Sequence, residues 1–208
     1  MSDLSHAACH DAVQSDRGPL SGMPASQLGV LVFVSSEAFF FLVLIATYVS
    51  GRPEYTTGHG PTPQGSLNLP LTAVFTVALF ASSLTMSQAT GRLGRGQVAA
   101  ARRWLGLTVL LGAVFLVGQG YEYAHLYADS ITLGRNLWTS AFFTLTGFHG
   151  AHVLVGLTAI LIVTGLLRAS PTGLRGARAV EAVSIYWHFV DAVWVVIFPV
   201  VYLWTLLS

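Results

Sequence analysis

EAVSIYWHFVDAVWVVIFPVVYLWTL, Glu181–Leu206, is an apolar run long enough to cross a bilayer, yet its centre holds His188 and Asp191, three residues apart. A bilayer core of about 30 Å needs about 20 helical residues. An acidic side chain at its middle costs about 2.5–3.5 kcal/mol on insertion scales. The stretch therefore reads as a membrane helix whose polar residues face other helices. Glu181, Ser184, His188 and Asp191 fall on one stripe by the helical period.

The rest of the chain agrees with that reading. It has 208 residues, 53% of them hydrophobic and only 9% charged. Soluble domains carry about 25% charged residues, so this composition does not cover a water-facing surface. Five segments are apolar and long enough to span: about 27–49, 67–88, 104–123, 137–167 and 181–206. The fourth needs tilt or projects beyond the lipid. The intervening stretches GRPEYTTGHGPTPQGS, TGRLGRGQVAAARR, AHLYADSITLGRN and RASPTGLRGARA are rich in glycine, proline and charge and read as loops. The expected architecture is an all-α integral membrane protein. A polar, disordered tail over residues 1–26 precedes a bundle of five transmembrane helices over 27–208.

Arginine, which supplies all ten basic residues, sets the expected orientation. Arg17, Arg92, Arg95, Arg102, Arg103, Arg168, Arg175 and Arg178 fall on one side, and Arg52 and Arg135 on the other. The positive-inside rule then places the N-terminus in the cytoplasm and the C-terminus outside. Trp104, Trp138 and Trp204 lie at segment ends, where amphipathic rings anchor at the interface.

Several function classes are disfavoured. A net charge of +1 gives no basis for nucleic-acid binding. The single cysteine, Cys9, excludes an internal disulfide and a cysteine metal cage. HAACH (His6–His10) lacks the first cysteine of a haem-attachment motif, and no cleavable signal sequence is read. No internal repeat is visible, which weighs against many transporter architectures.

Chemistry is therefore sought among the ionisable residues within the spans: Glu37, His149, His152, His188 and Asp191, with Glu122 and Glu181 near span ends. On the fourth segment His149, His152 and Gly156 share a face, and Gly156 allows a close backbone approach. The economical arrangement packs that face against the stripe of the fifth segment, so that carboxylates accept hydrogen bonds from imidazole N–H groups. In that arrangement Asp191→Ala leaves an imidazole unpaired and destabilises the chain more than Asp129→Ala in a loop. Glu37, within SSEAFFF, has no partner in its own helix. Thr72, Thr76, Ser83 and Ser87 line one face of the second segment and suit close helix packing. Three readings stay open on spacing alone: metal or haem ligation by the histidines, a proton or substrate path, and a structural hydrogen-bonded network. The first corresponds to a small bis-histidine membrane cytochrome and the second to a proton-coupled transporter.

Four motifs carry a resemblance. SSEAFFF (Ser35–Phe41), GQGYEY (Gly118–Tyr123), FFTLTGFHGAHVLVG (Phe142–Gly156) and EAVSIYWHFVDAVW (Glu181–Trp194) occur in the order seen in subunit III of haem-copper terminal oxidases. The match runs from about residue 27 to the C-terminus. Longer members of that family carry an additional pair of helices ahead of these five, and phospholipid fills the cleft between the two groups. Glu37 matches the glutamate beside that cleft, which implies a lipid-linked or proton-linked role.

The resemblance implies a multi-pass subunit of a bacterial inner membrane complex that reduces dioxygen to water and pumps protons. It implies no metal and no catalytic residue in this chain, with haem and copper in partner subunits I and II. Subunit I is the main contact, and phospholipid is the bound small molecule. Glu122, His149, His152, Glu181, His188 and Asp191 match buried polar positions of structural role. The motifs lean to the cytochrome c branch, with the quinol oxidases as the alternative.

Overall fold

The computed structural model describes residues 25–51, 66–169 and 174–203. The N-terminal tail with HAACH, most of the first loop and Trp204 lie outside the described residues. Five α-helices account for nearly all of the rest: α1 Ala25–Ser50, α2 Leu69–Gly94, α3 Val98–Ala128, α4 Leu137–Ala169 and α5 Leu174–Phe198. All five are long and apolar enough to cross a membrane.

The helices extend beyond the apolar runs because their flanks contain helix formers. VAAARR reads as loop by charge, yet alanine and arginine are strong helix formers, and α3 starts at Val98. α5 likewise begins at Leu174 within the fourth linker. At about 1.5 Å per residue α4 is about 50 Å long, so it must tilt or project from the lipid. Past Phe198 the chain widens into a π-helical turn over Pro199–Leu203. Proline there has no N–H for the helical ladder, which favours the change.

Local chemistry sets the helix ends. Asn68 Oδ1 accepts from Leu71 N–H at 3.2 Å, with proline in the first turn of α2. Asn136 and Thr139 bond reciprocally before α4: Thr139 N–H donates to Asn136 Oδ1 at 2.8 Å and Asn136 N–H donates to Thr139 Oγ1 at 3.1 Å. Gly96, at φ 73°, makes the tight α2–α3 turn that a side chain would strain.

α5 is the hub of the bundle, packing on α1, α2 and α4. α2 packs along α3, α3 on α4, and α1 rests only on α4 and α5 in extended contact. The wholly buried indole of Trp187 fills the centre. A Cβ at Gly112 of α3 or at Gly156 of α4 would come within 2.8 Å of that ring. Gly156 thus admits an indole rather than a neighbouring backbone. Trp138 also departs from expectation: it is buried, and its indole N–H donates to the Tyr48 hydroxyl at 3.3 Å. It therefore locks α4 to α1 instead of anchoring at the interface.

Candidate functional site: the intramembrane polar residues

The six network residues and Glu37 do not gather at one centre. They divide into separate sites, each set by the helix face that carries it.

Glu37 on α1 meets His152 on α4, with Glu37 Oε2 3.0 Å from His152 Nε2. His152 Nδ1 donates to the Phe148 carbonyl at 2.7 Å, because a carbonyl only accepts. The carboxyl group and the imidazole are thus each matched by a polar partner within the membrane, which lowers the cost of holding them there. Phe41 packs edge-on against His152 at 4.9 Å. Glu37 thus finds its partner on another helix, where its own helix offers none.

His149 shares the α4 sequence motif with His152 but not its environment. It is fully buried, stacked on Trp194 at 4.7 Å and walled by Phe115 and Phe41 at 5.9 and 6.3 Å. Neither ring nitrogen has a partner. The imidazole serves as an aromatic plug at the centre of the bundle.

His188 and Asp191 turn toward α2, not toward α4. Ser83 Oγ lies 2.7 Å from His188 Nδ1, and Ser87 Oγ lies 3.4 Å from Nε2. Asp191 sits beside the same Ser83 hydroxyl, and its Oδ1 has no partner. The expected pairing of the α5 stripe with the α4 histidines is therefore corrected. The stripe's faces diverge because Trp187 and Trp194 occupy the α4-facing side of α5, displacing the polar residues onto α2. Glu181 is exposed at the start of the stripe, where Gln27 Nε2 of α1 donates to it at 2.8 Å.

Glu122 on α3 is buried and accepts from the Tyr202 hydroxyl at 2.6 Å and the Thr72 hydroxyl at 3.2 Å. It adjoins a pocket of about 260 Å³ lined by Ser66, Asn68, Tyr121 and His125, among others. Tyr202 was not legible as its partner, since it lies far along the chain in the π-helical turn. Gln119 and Tyr123 of GQGYEY, which spacing alone does not single out, also bridge α3 to α4. Gln119 Nε2 donates to the Thr146 carbonyl at 2.6 Å, and the Tyr123 and Thr146 hydroxyls lie 2.7 Å apart. Their i, i+4 spacing puts both on one face of α3 and is the signal that the sequence offers.

The hydroxyl face of α2 proves to be the main receptor. Thr72 serves Glu122, Thr76 accepts from the Trp194 indole at 3.0 Å, and Ser83 and Ser87 serve His188. Ser82, beside that face, accepts from the Trp187 indole at 3.1 Å. Among the described residues no group of three or more His, Cys, Asp or Glu side chains is placed to hold a metal ion. The three intramembrane histidines point to Glu37, to an aromatic box and to serines, so no two of them face a common ligand.

Comparison with known proteins fits this arrangement. The family model for cytochrome c oxidase subunit III matches residues 19–206. The chain is 44% identical over 179 residues to cytochrome c oxidase subunit 3 of Corynebacterium diphtheriae, covering 84% of this chain and 86% of that one. It is 39% identical over 178 residues to the probable cytochrome c oxidase subunit 3 of Mycobacterium tuberculosis, with the same coverage. Against cytochrome c oxidase subunit 3 of Bacillus sp. PS3 it is 36% identical over 178 residues, covering 85% and 84%. Four motifs in order, five spanning helices and a match over nearly the whole chain lead to one assignment: the chain belongs to the cytochrome c oxidase subunit III family.

Proposed function

We propose that this chain is the non-redox subunit of a proton-pumping cytochrome c oxidase. It carries no catalytic centre, packs mainly on subunit I and also meets subunit II, and holds phospholipid along the open flank of α1. Glu37 serves there as a lipid-linked or proton-linked group. Glu122, His149, His152, Glu181, His188 and Asp191 act as structural polar residues that fix which helix meets which.

One observation carries this reading: Glu37, Glu122, His152, Glu181, His188 and Asp191 each meet a side chain of another helix or of the terminal π-helical turn, His149 is packed among aromatic rings, and their polar atoms do not converge. A bis-histidine haem needs two imidazoles facing one iron, and His188 and His152 face serines and a carboxylate. The lipid assignment draws on α1, where Val32, Phe39, Leu42 and Val43 are each more than half exposed.

The test is to dissociate this chain from the purified oxidase with detergent and measure haem and copper in both fractions. All of the metal stays with the larger subunits on this account. Haem or copper leaving in proportion to this chain contradicts it.

A further inference from the structure

The α2–α3 turn gathers positive charge and carries no negative charge of its own. Arg92, Arg95, Arg102 and Arg103 fall within twelve residues, and no Asp or Glu lies between Glu54 and Glu122. α4 ends and α5 begins at the same end of the bundle, adding Arg168 and Arg178. Glu181, the described carboxylate at that end, already accepts from Gln27. The ion pairs among the described residues are His125–Asp129 and Glu37–His152, so no described carboxylate pairs with an arginine.

Two of these arginines are rooted in the hairpin. The Thr85 and Thr108 hydroxyls, 2.8 Å apart, fix its register. Arg92 follows Thr85 by seven residues and Arg102 precedes Thr108 by six, about 10 and 9 Å along the two axes, so the pair stands at one level. Both are half-buried, and their stems are packed deeply enough to cover Nε, which has no hydrogen-bond partner in either. Arg92 Nη1 donates to Gln97 Oε1 at 3.0 Å, which holds that guanidinium in place. Arg95 and Arg103 stand exposed beside them.

The level matters. Arg92 and Arg102 each lie about 16 Å from the midpoint of their helix, and the apolar half-thickness of a bilayer is about 15 Å, so both reach the depth of lipid phosphates. Deeper in the span Leu107 and Leu110 of α3 and Leu84 of α2 are exposed. A Cβ at Gly91, Gly94 or Gly106 would meet nothing within 4 Å, so the surface beside the arginines is open.

We infer that the α2–α3 hairpin is a binding site for the phosphodiester headgroup of an anionic phospholipid, held between Arg92 and Arg102, with its acyl chains along Leu107 and Leu110. A planar guanidinium offers parallel N–H donors that match two phosphate oxygens. Clustered arginines beside a span attract anionic headgroups, and the exposed leucines take the chains that a water-borne phosphate lacks. Membrane orientation alone calls for positive charge, not for two guanidinium groups seated at one level. α1 packs on α4 and α5, so this site is separate from the open flank of α1. It does not depend on the oxidase assignment.

The test uses the chain as purified from its native membrane, with the subunits that accompany it, in phosphatidylcholine vesicles. The probe is a trace of phosphatidylglycerol carrying a diazirine on one acyl chain, and adducts are mapped by mass after irradiation. The expected result is labelling of the Trp104–Leu110 stretch several-fold above that by the equivalent diazirine phosphatidylcholine. Arg92→Gln/Arg102→Gln should lose the excess. Arg168→Gln/Arg178→Gln, which removes as much charge from the same end, should keep it. Equal or absent labelling by the two lipids overturns the inference, as does equal loss in the two double variants. An excess that inorganic phosphate abolishes at unchanged ionic strength also overturns it, because the site would then take the free ion. If the Arg92→Gln/Arg102→Gln protein does not assemble, the comparison of the two lipids on the unaltered protein still decides. The haem content of the same preparation bears only on the oxidase assignment.

Discussion

Glu122 and Tyr202 show how a single residue in this bundle is held. A buried carboxyl group keeps its place through hydroxyl donors from two other elements, Thr72 of α2 and Tyr202 of the terminal π-helical turn. Removing one partner strands the other, and a buried polar atom left unmatched costs about 1–3 kcal/mol. Tyr202→Phe should therefore lower the melting temperature of the chain in mild detergent by several degrees. Tyr127→Phe should leave it unchanged, because Tyr127 is 52% exposed. Equal melting of the two variants would show that the Tyr202 hydrogen bond contributes nothing. Asp191 belongs to the same scale. Its removal is still expected to cost more than that of the exposed Asp129, but the bond lost is the one with Ser83 of α2 rather than one with an α4 imidazole.

At the scale of elements, contact between helices depends on small residues facing large ones. A Cβ at Gly118 would lie 2.1 Å from the Phe75 ring, so α2 and α3 approach there only because position 118 is glycine. Gly120, two residues on, has open space around it. Overpacking of this kind typically costs about 1–3 kcal/mol, whereas a compatible alanine in a helix gains up to about 1 kcal/mol over glycine. Gly118→Ala should destabilise the chain and Gly120→Ala should be neutral or slightly stabilising, as thermal unfolding of the two variants will report. A Gly118→Ala protein that melts like its parent would mean that α2 and α3 are not packed as described.

The five spans were legible because apolar length is a local property. Which span meets which was not, because a stripe names the residues that share a face and leaves open the face opposite. His188 and Asp191 therefore read equally well against His149 and His152 as against serines. The hydroxyl row Thr72, Thr76, Ser83 and Ser87 was the missing half, visible in the sequence but assigned only to close packing. Glu37 and His152 lie on helices far apart in the chain, and no spacing rule joins them.

At the scale of the molecule, the five spans and the bacterial relatives make this a multi-pass protein of the bacterial inner membrane. Its proposed orientation follows the arginines: Arg92, Arg95, Arg102 and Arg103 around the α2–α3 turn face the cytoplasm, and Arg135 before α4 faces outward. In a Cys9→Ser background, Thr132→Cys should react with a membrane-impermeant maleimide on intact spheroplasts, and Arg95→Cys only after permeabilisation. The reverse labelling pattern would invert the topology. The central claim is that this chain works as part of an oxidase and not alone. The direct measurement is the reduced-minus-oxidised spectrum of what co-purifies with the tagged chain from its native membrane. An a-type or o-type haem band arriving with larger subunits in fixed stoichiometry is the predicted result. A b-type band that stays with the isolated chain and vanishes on His188→Ala would contradict the account.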